Sequence, residues 1–172
     1  MQVRGRCESD LDACERLLRS VHESDGYPRR LPSDLRGFIA WPTAICAWVA
    51  DVDGEVAGHI ALHATGSRKA MDLAVEVTGE ASGRFGFVAR LLVSPHERRQ
   101  GIGRSLLETA RRHAVALALI PALEVTADLA AAIDLYETCG WLRIGTAAVL
   151  WRSTGDVADE HIYVWSLRPT AA

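Results

Sequence analysis

The sequence predicts an α/β protein, a mixed sheet flanked by helices, in a single domain spanning residues 1–172. Three observations lead there. Strand-like and helix-like segments alternate along the second half of the chain, as they do in layered α/β folds. Two apolar runs, 45–51 and 55–64, flank Asp53-Gly54, a strong hairpin signal. An apolar run, Phe85–Val93, is followed by Pro95 and a charged turn with two glycines, which opens a helix pattern.

The elements follow in order. Residues 9–22 read as a helix, with Ser9 or Asp10 as cap and Leu11, Cys14, Leu17, Leu18 and Val21 on one face. A polar loop with Gly26 and Pro28 leads to a short helix over 33–39. The hairpin comes next. Residues 67–77 show a helix-like pattern in Met71, Leu73, Ala74 and Val77, followed by a Gly-rich patch. The 85–93 strand is apolar on both faces except at Arg90, so it belongs in the middle of the sheet. Residues 103–119 form a helix whose buried stripe is Leu106, Leu107, Ala110, Ala114 and Leu117. A short strand over 123–126 and a helix over 128–139, stopped by Gly140, precede two closing strands, 142–152 and 161–167, joined by a polar loop with Gly155.

Composition narrows the function. The net charge of −3 argues against nucleic acid or an anionic membrane as the main partner. Four cysteines, at 7, 14, 46 and 139, show neither metal-ligand spacing nor a disulfide framework, so no metal is expected. The first ten residues are polar and carry no signal-peptide pattern. The longest apolar run, 114–123, is too short to span a bilayer. A cytoplasmic location is the expectation.

The segment 93–107 carries the chemistry. A strand feeding a glycine-bearing turn and then a helix start is a way to hold a phosphate. The first amides of a helix lack intrahelical partners, and its dipole favours negative charge there. Glycines let main chain approach the anion closely. The third glycine of a dinucleotide fingerprint and the Lys-Ser/Thr of a P-loop are both missing.

Arg98-x-x-Gly101-x-Gly103, preceded by Leu91-Leu92-Val93-Ser94-Pro95, resembles the acetyl-CoA-binding signature of the GCN5-related N-acetyltransferase (GNAT) superfamily. Ala132-Ile133-Asp134-Leu135-Tyr136, followed by Gly140-Trp141, is similar to the family's A-x-x-L-Y-x-x-x-G-F/W segment. The resemblance covers about residues 45–167. It implies a mixed sheet splayed between its fourth and fifth strands and flanked by helices. It also implies that acetyl-CoA is the co-substrate and a small-molecule or peptide amine the acceptor. Leu91, Leu92 and Val93 would pair with the pantetheine arm. Main chain and side chains of Arg98, Arg99, Gln100, Gly101, Ile102, Gly103, Arg104 and Ser105 would hold the pyrophosphate.

The same resemblance implies direct attack of the amine on the thioester. Tyr136 is then the expected proton donor to the departing thiolate. At ordinary acidities that transfer runs uphill by about 2 kcal/mol, so the hydroxyl must meet the sulfur as charge develops. Many relatives carry a glutamate where Ala89 stands, and an asparagine where Leu129 stands. His63, an acidic residue or water are the alternatives for the base, with Glu23, Asp25 and Glu76 as acidic candidates around the acceptor; Asp128 is a candidate cap for the last helix. Tyr27, Trp41, Trp151 and Trp165 are candidate lining residues. A coenzyme-A-binding sensor without catalysis is the competing function, and monomer and homodimer remain open.

Overall fold

A computed structural model describes residues 1–150, 155 and 157–165. Seven strands form one mixed sheet, in the order β1-β2-β3-β4-β5-β7-β6. The chain divides into two compact units, Met1–His63 with Ala89–Ala110, and Ala64–Val88 with Arg111–Ala172.

The first unit opens with β1 (Gln2–Gly5), an element the sequence does not announce. A single 3-10 turn leads into α1 (Leu11–Asp25), which ends on Gly26 at φ +69°. Only glycine reaches such a conformation without steric cost, which makes Gly26 an effective stop. Asp10 stands at the N-cap of α1 but makes no side-chain cap bond there. Its carboxylate instead accepts from Arg4 at 2.8 Å and from the Cys7 amide at 2.8 Å. The short α2 (Leu35–Ile39) is capped by Asp34, which accepts from the Gly37 amide.

The hairpin forms as predicted, from β2 (Ala44–Val52) and β3 (Glu55–His63). Asp53 and Gly54 both have positive φ, 53° and 89°, the turn geometry that matches strand twist. β1 pairs antiparallel with the other edge of β2. Leu11, Cys14, Leu17, Leu18 and Val21 of α1 pack with Leu35, Ile39, Val49 and Leu92 into one core. A fully buried leucine there contributes roughly 1.5–3 kcal/mol, so α1 is held by its stripe.

β4 (Phe85–Val93) runs through both units. In the second unit it pairs in parallel with β5 (Ile120–Thr126), from Phe85↔Ile120 to Val88↔Leu123. The paired register ends there. β5 pairs with β7 (Val157–Val164), and β7 with β6 (Leu142–Leu150), both antiparallel. The strand predicted over 123–126 therefore begins three residues earlier, and that over 161–167 four residues earlier. Leu167 and Arg152, predicted strand ends, lie outside the described residues. The helix-like segment is α3 (Arg68–Thr78), capped by Ser67, whose hydroxyl accepts from the Ala70 amide. Ala70 and Ala74 pack on Phe85, Phe87, Ala122, Ile162 and Val164. α4 (Ile102–Ala116) and α5 (Ala130–Thr138) complete the set. The N-cap of α5 is Leu129, with no side-chain cap bond, so the expectation that Asp128 caps this helix is not met.

Candidate functional site

Of the two glycines in the turn after β4, Gly101 takes the left-handed backbone and Gly103 does not, while Arg99 takes it too. Arg99 stands at φ +63° and Gly101 at φ +81°. The Ser105 amide bonds the Gly101 carbonyl at 3.0 Å, so the amides just before it, at 102–104, precede the helical ladder and are donors for an anion. Arg98, Arg99, Gln100, Gly101 and Arg104 are exposed; Gly103 and Ser105 are half-buried. Ile102 is buried and anchors the first turn of α4, with Leu106. Both pack so closely on Gly58 of β3 that a β-carbon there would lie 2.7 Å from Leu106 and 2.9 Å from Ile102. Gly58 therefore sets how near the helix start comes to the sheet.

The arginines divide. Arg98 is paired with Asp25, which places Asp25 beside this turn. Arg99 and Arg104 form no ion pair among the described residues. Glu97 accepts from Gln100 at 2.7 Å. On the strand before the turn, Leu92 is fully buried in the α1 core, while Leu91 and Val93 are half-buried.

A second group of residues in this unit centres on Arg90. Its φ of +54° interrupts the strand. Its Nη1 lies 2.7 Å from Nε2 of His63. Guanidinium groups only donate, so Nε2 is the acceptor and the ring carries its hydrogen on Nδ1. That hydrogen meets the Thr43 hydroxyl at 3.2 Å. His59, fully buried, repeats the arrangement: Nδ1 donates to the Arg90 carbonyl at 3.0 Å, and Nε2 faces Nη1 of Arg6 at 3.4 Å. Burial first, and the neighbouring arginines second, push His63 down to about 4; burial also pushes His59 down to about 4. Both imidazoles are neutral near pH 7. The Nε2 lone pair of His63, a base candidate from the sequence, is engaged by Arg90 in this arrangement.

In the second unit, Tyr136 is buried, 8% exposed, with its ring 6.4 Å from Trp141 and 6.1 Å from Tyr163. Tyr163 donates to Glu137 at 2.9 Å, and burial followed by that carboxylate pushes its phenol up to about 12. Trp165, half-buried, packs edge-on with Trp141 and under Arg111. Trp151 lies outside the described residues. Sequence reasoning missed Glu124 on β5. One of its oxygens accepts from the Ser67 amide at 2.8 Å, and the other is buried without a partner. Glu76 and Glu23 are exposed.

The profile of the acetyltransferase (GNAT) family matches residues 11–141. The chain belongs to this family. No curated protein matches it. Among solved structures it is similar to a ribosomal-protein-alanine N-acetyltransferase from Brucella melitensis, with a TM-score of 0.73 at 20% identity, over 97% of this chain and 100% of that one. It is similar also to yncA of Salmonella typhimurium, solved with its cofactor acetyl-CoA, with a TM-score of 0.73 at 18% identity over 100% and 96% of the two chains. NAA60 of Arabidopsis thaliana in complex with acetyl-CoA gives a TM-score of 0.69 at 20% identity, over 95% and 98%. At such identities the likeness establishes the fold: a mixed α/β sheet with a parallel β4–β5 pair. Among the described residues no helix is long and apolar enough to cross a membrane.

Proposed function

We propose that the protein transfers the acetyl group of acetyl-CoA to a primary amine by direct attack. The observation that carries this is the turn between β4 and α4. Its left-handed residues Arg99 and Gly101, its unladdered amides and its two unpaired arginines fit a pyrophosphate. Such groups bind anions through main-chain donors and the helix dipole.

The amine nitrogen attacks the thioester carbonyl, a C–N bond forms, and the C–S bond breaks as the oxyanion collapses. The amine must lose a proton and the thiolate must gain one. Tyr136 is assigned the second transfer. Glu124 is assigned the first: its buried, unpartnered oxygen has acceptor capacity that nothing in its surroundings uses. The acceptor is a small molecule or a peptide.

Calorimetry with coenzyme A and acetyl-CoA, together with a free-thiol release assay on an amine panel, tests the reading. Uptake that weakens at least about tenfold in Gly101→Val is expected, because a β-branched residue at φ +81° is strained. Failure of the wild-type protein to take up either form of the coenzyme would overturn it.

A further inference from the structure

Arg90 is a cation in the wrong kind of place. It interrupts an apolar strand whose neighbours Val88 and Leu92 are buried. Its guanidinium is 4.7 Å from the centre of the Phe38 ring and 5.7 Å from that of Trp41. No carboxylate among the described residues pairs with it. Its one hydrogen-bond partner is the neutral His63. Its Nε is buried with no partner at all, and a second cation, Arg6, lies beyond His59.

This arrangement is costly three times over. A non-glycine residue at positive φ is strained. A half-buried guanidinium without a carboxylate partner is destabilising, with the Tyr27 phenol as its electrostatic support. A buried N–H donor without an acceptor adds a further cost. Packing between Phe38 and Trp41 does not account for it, because an aliphatic side chain would fill the same space without these costs. What an aliphatic side chain lacks is the planar fork. The Nη1 corner is taken by His63. The Nε–Nη2 edge has no partner, and that edge matches a carboxylate side-on through two parallel hydrogen bonds. Trp41, 49% exposed in the connection before β2, is the outer part of the cover.

We infer that Arg90 is the anchor for a carboxylate on the acceptor, so that the acceptor is a small amino acid carrying both the reacting amine and an acid group. This deepens the acetyl-transfer reading and rests on it. It excludes polyamines and plain cationic amines, which Arg90 and Arg6 together would repel.

The test compares matched acceptors. The twenty common amino acids, their C-terminal amides and spermidine are offered with acetyl-CoA, and thiol release is followed. At least one amino acid is expected to exceed its own amide in kcat/KM by about 30-fold or more, the scale of a desolvated charge pair. In Arg90→Met that preference collapses towards one, through KM, while coenzyme uptake measured by calorimetry persists. An amide equal to its acid, spermidine as the best acceptor, or a preference that survives in Arg90→Met overturns the inference. If that variant does not fold, or if no amine reacts, the wild-type Nε–H resonance of Arg90 in a proton–nitrogen spectrum decides, assigned by its absence from Arg90→Lys or, should that also misfold, by sequential assignment. It is expected to move with N-acetyl amino acids and not with their amides; no movement with any of them overturns the inference. Loss of coenzyme uptake in the wild type is a separate failure, of the acetyl-transfer reading.

Discussion

His59 and His63 stand between two arginines, and acid should find them before it finds anything else in the first unit. In the unfolded chain each imidazole takes a proton near its ordinary 6.5; in the fold each resists until about 4. Between those values the unfolded state binds more protons than the native one, so stability falls as pH falls. The neutral form is fully compatible with the fold above pH 6.5, and the loss is complete below about 4. A drop from 6.5 to about 4 corresponds to roughly 3 kcal/mol for each histidine, at 1.36 kcal/mol per pH unit. Domains of this size have roughly 5–15 kcal/mol to lose, so two such groups are decisive. The other strongly shifted group, Asp10, acts lower. Arg4 holds its carboxyl well below the usual range, so its contribution is present above about pH 4 and is lost only below it. The assay is urea unfolding at pH 7, 6, 5 and 4.5, for wild type and for His63→Gln. Glutamine can accept from Arg90 and donate to Thr43 but does not titrate. About half the wild-type slope should vanish in the variant. A wild-type stability that stays level from pH 7 to 4.5, or a variant that keeps the full slope, would refute the neutral-imidazole geometry.

Gly58→Ala should push the first turn of α4 off the sheet, lowering Tm by an amount equivalent to about 1–3 kcal/mol and weakening coenzyme A uptake; thermal melts and calorimetry check both, and unchanged values would mean that Ile102 and Leu106 adjust freely. Tyr136→Phe should keep coenzyme A affinity and lose about 100-fold or more in kcat; unchanged turnover removes its role. Glu124→Gln should keep coenzyme A uptake and lose about 100-fold in kcat at neutral pH, and unchanged turnover assigns the amine's proton elsewhere.

Much of the fold was legible, for local reasons. Phe85–Val93, the Asp53-Gly54 hairpin and the helix after Gly101 are each fixed by residues within a few positions of one another. β1 was not legible. Its four residues, Gln2 to Gly5, have no apolar alternation, and it exists because β2 offers it an edge to pair with. β5 was read too short, and the residues it missed, Ile120 to Ala122, include Pro121. A proline tolerates the second position of a strand, and its carbonyl still accepts from the Trp165 amide at 2.8 Å.

The site was half legible for the same reason. The turn after β4 is a contiguous motif, and Gly101 stands in the left-handed region there. Arg90 was visible only as the exception in an apolar strand. Its meaning depends on Phe38, Trp41, Thr43, His59 and His63, which come from three other stretches of chain. Two histidines four residues apart on one strand share a face, and that spacing was the available signal. Glu124 gave none, because an isolated glutamate in a strand is ordinary until its second oxygen proves to be buried and unpartnered.

The positive spot at Arg90 bears on the chemistry as well as on recognition. A lysine-like amine is neutral in only about one molecule in a few thousand at pH 7, so an acceptor amine must shed a proton before it can attack. A free amino acid holds its ammonium for a further reason, because its own carboxylate lies beside it and favours the charged form. Pairing that carboxylate with the guanidinium offsets its hold on the proton, so the amine of the bound acceptor is deprotonated more readily than the same amine in water. The unpaired charge and the unpaired Nε–H then have one cause. A guanidinium already paired with a carboxylate of the protein could neither bind the acid nor lower the pKa of the amine beside it, so the missing carboxylate partner is what lets a single side chain do both.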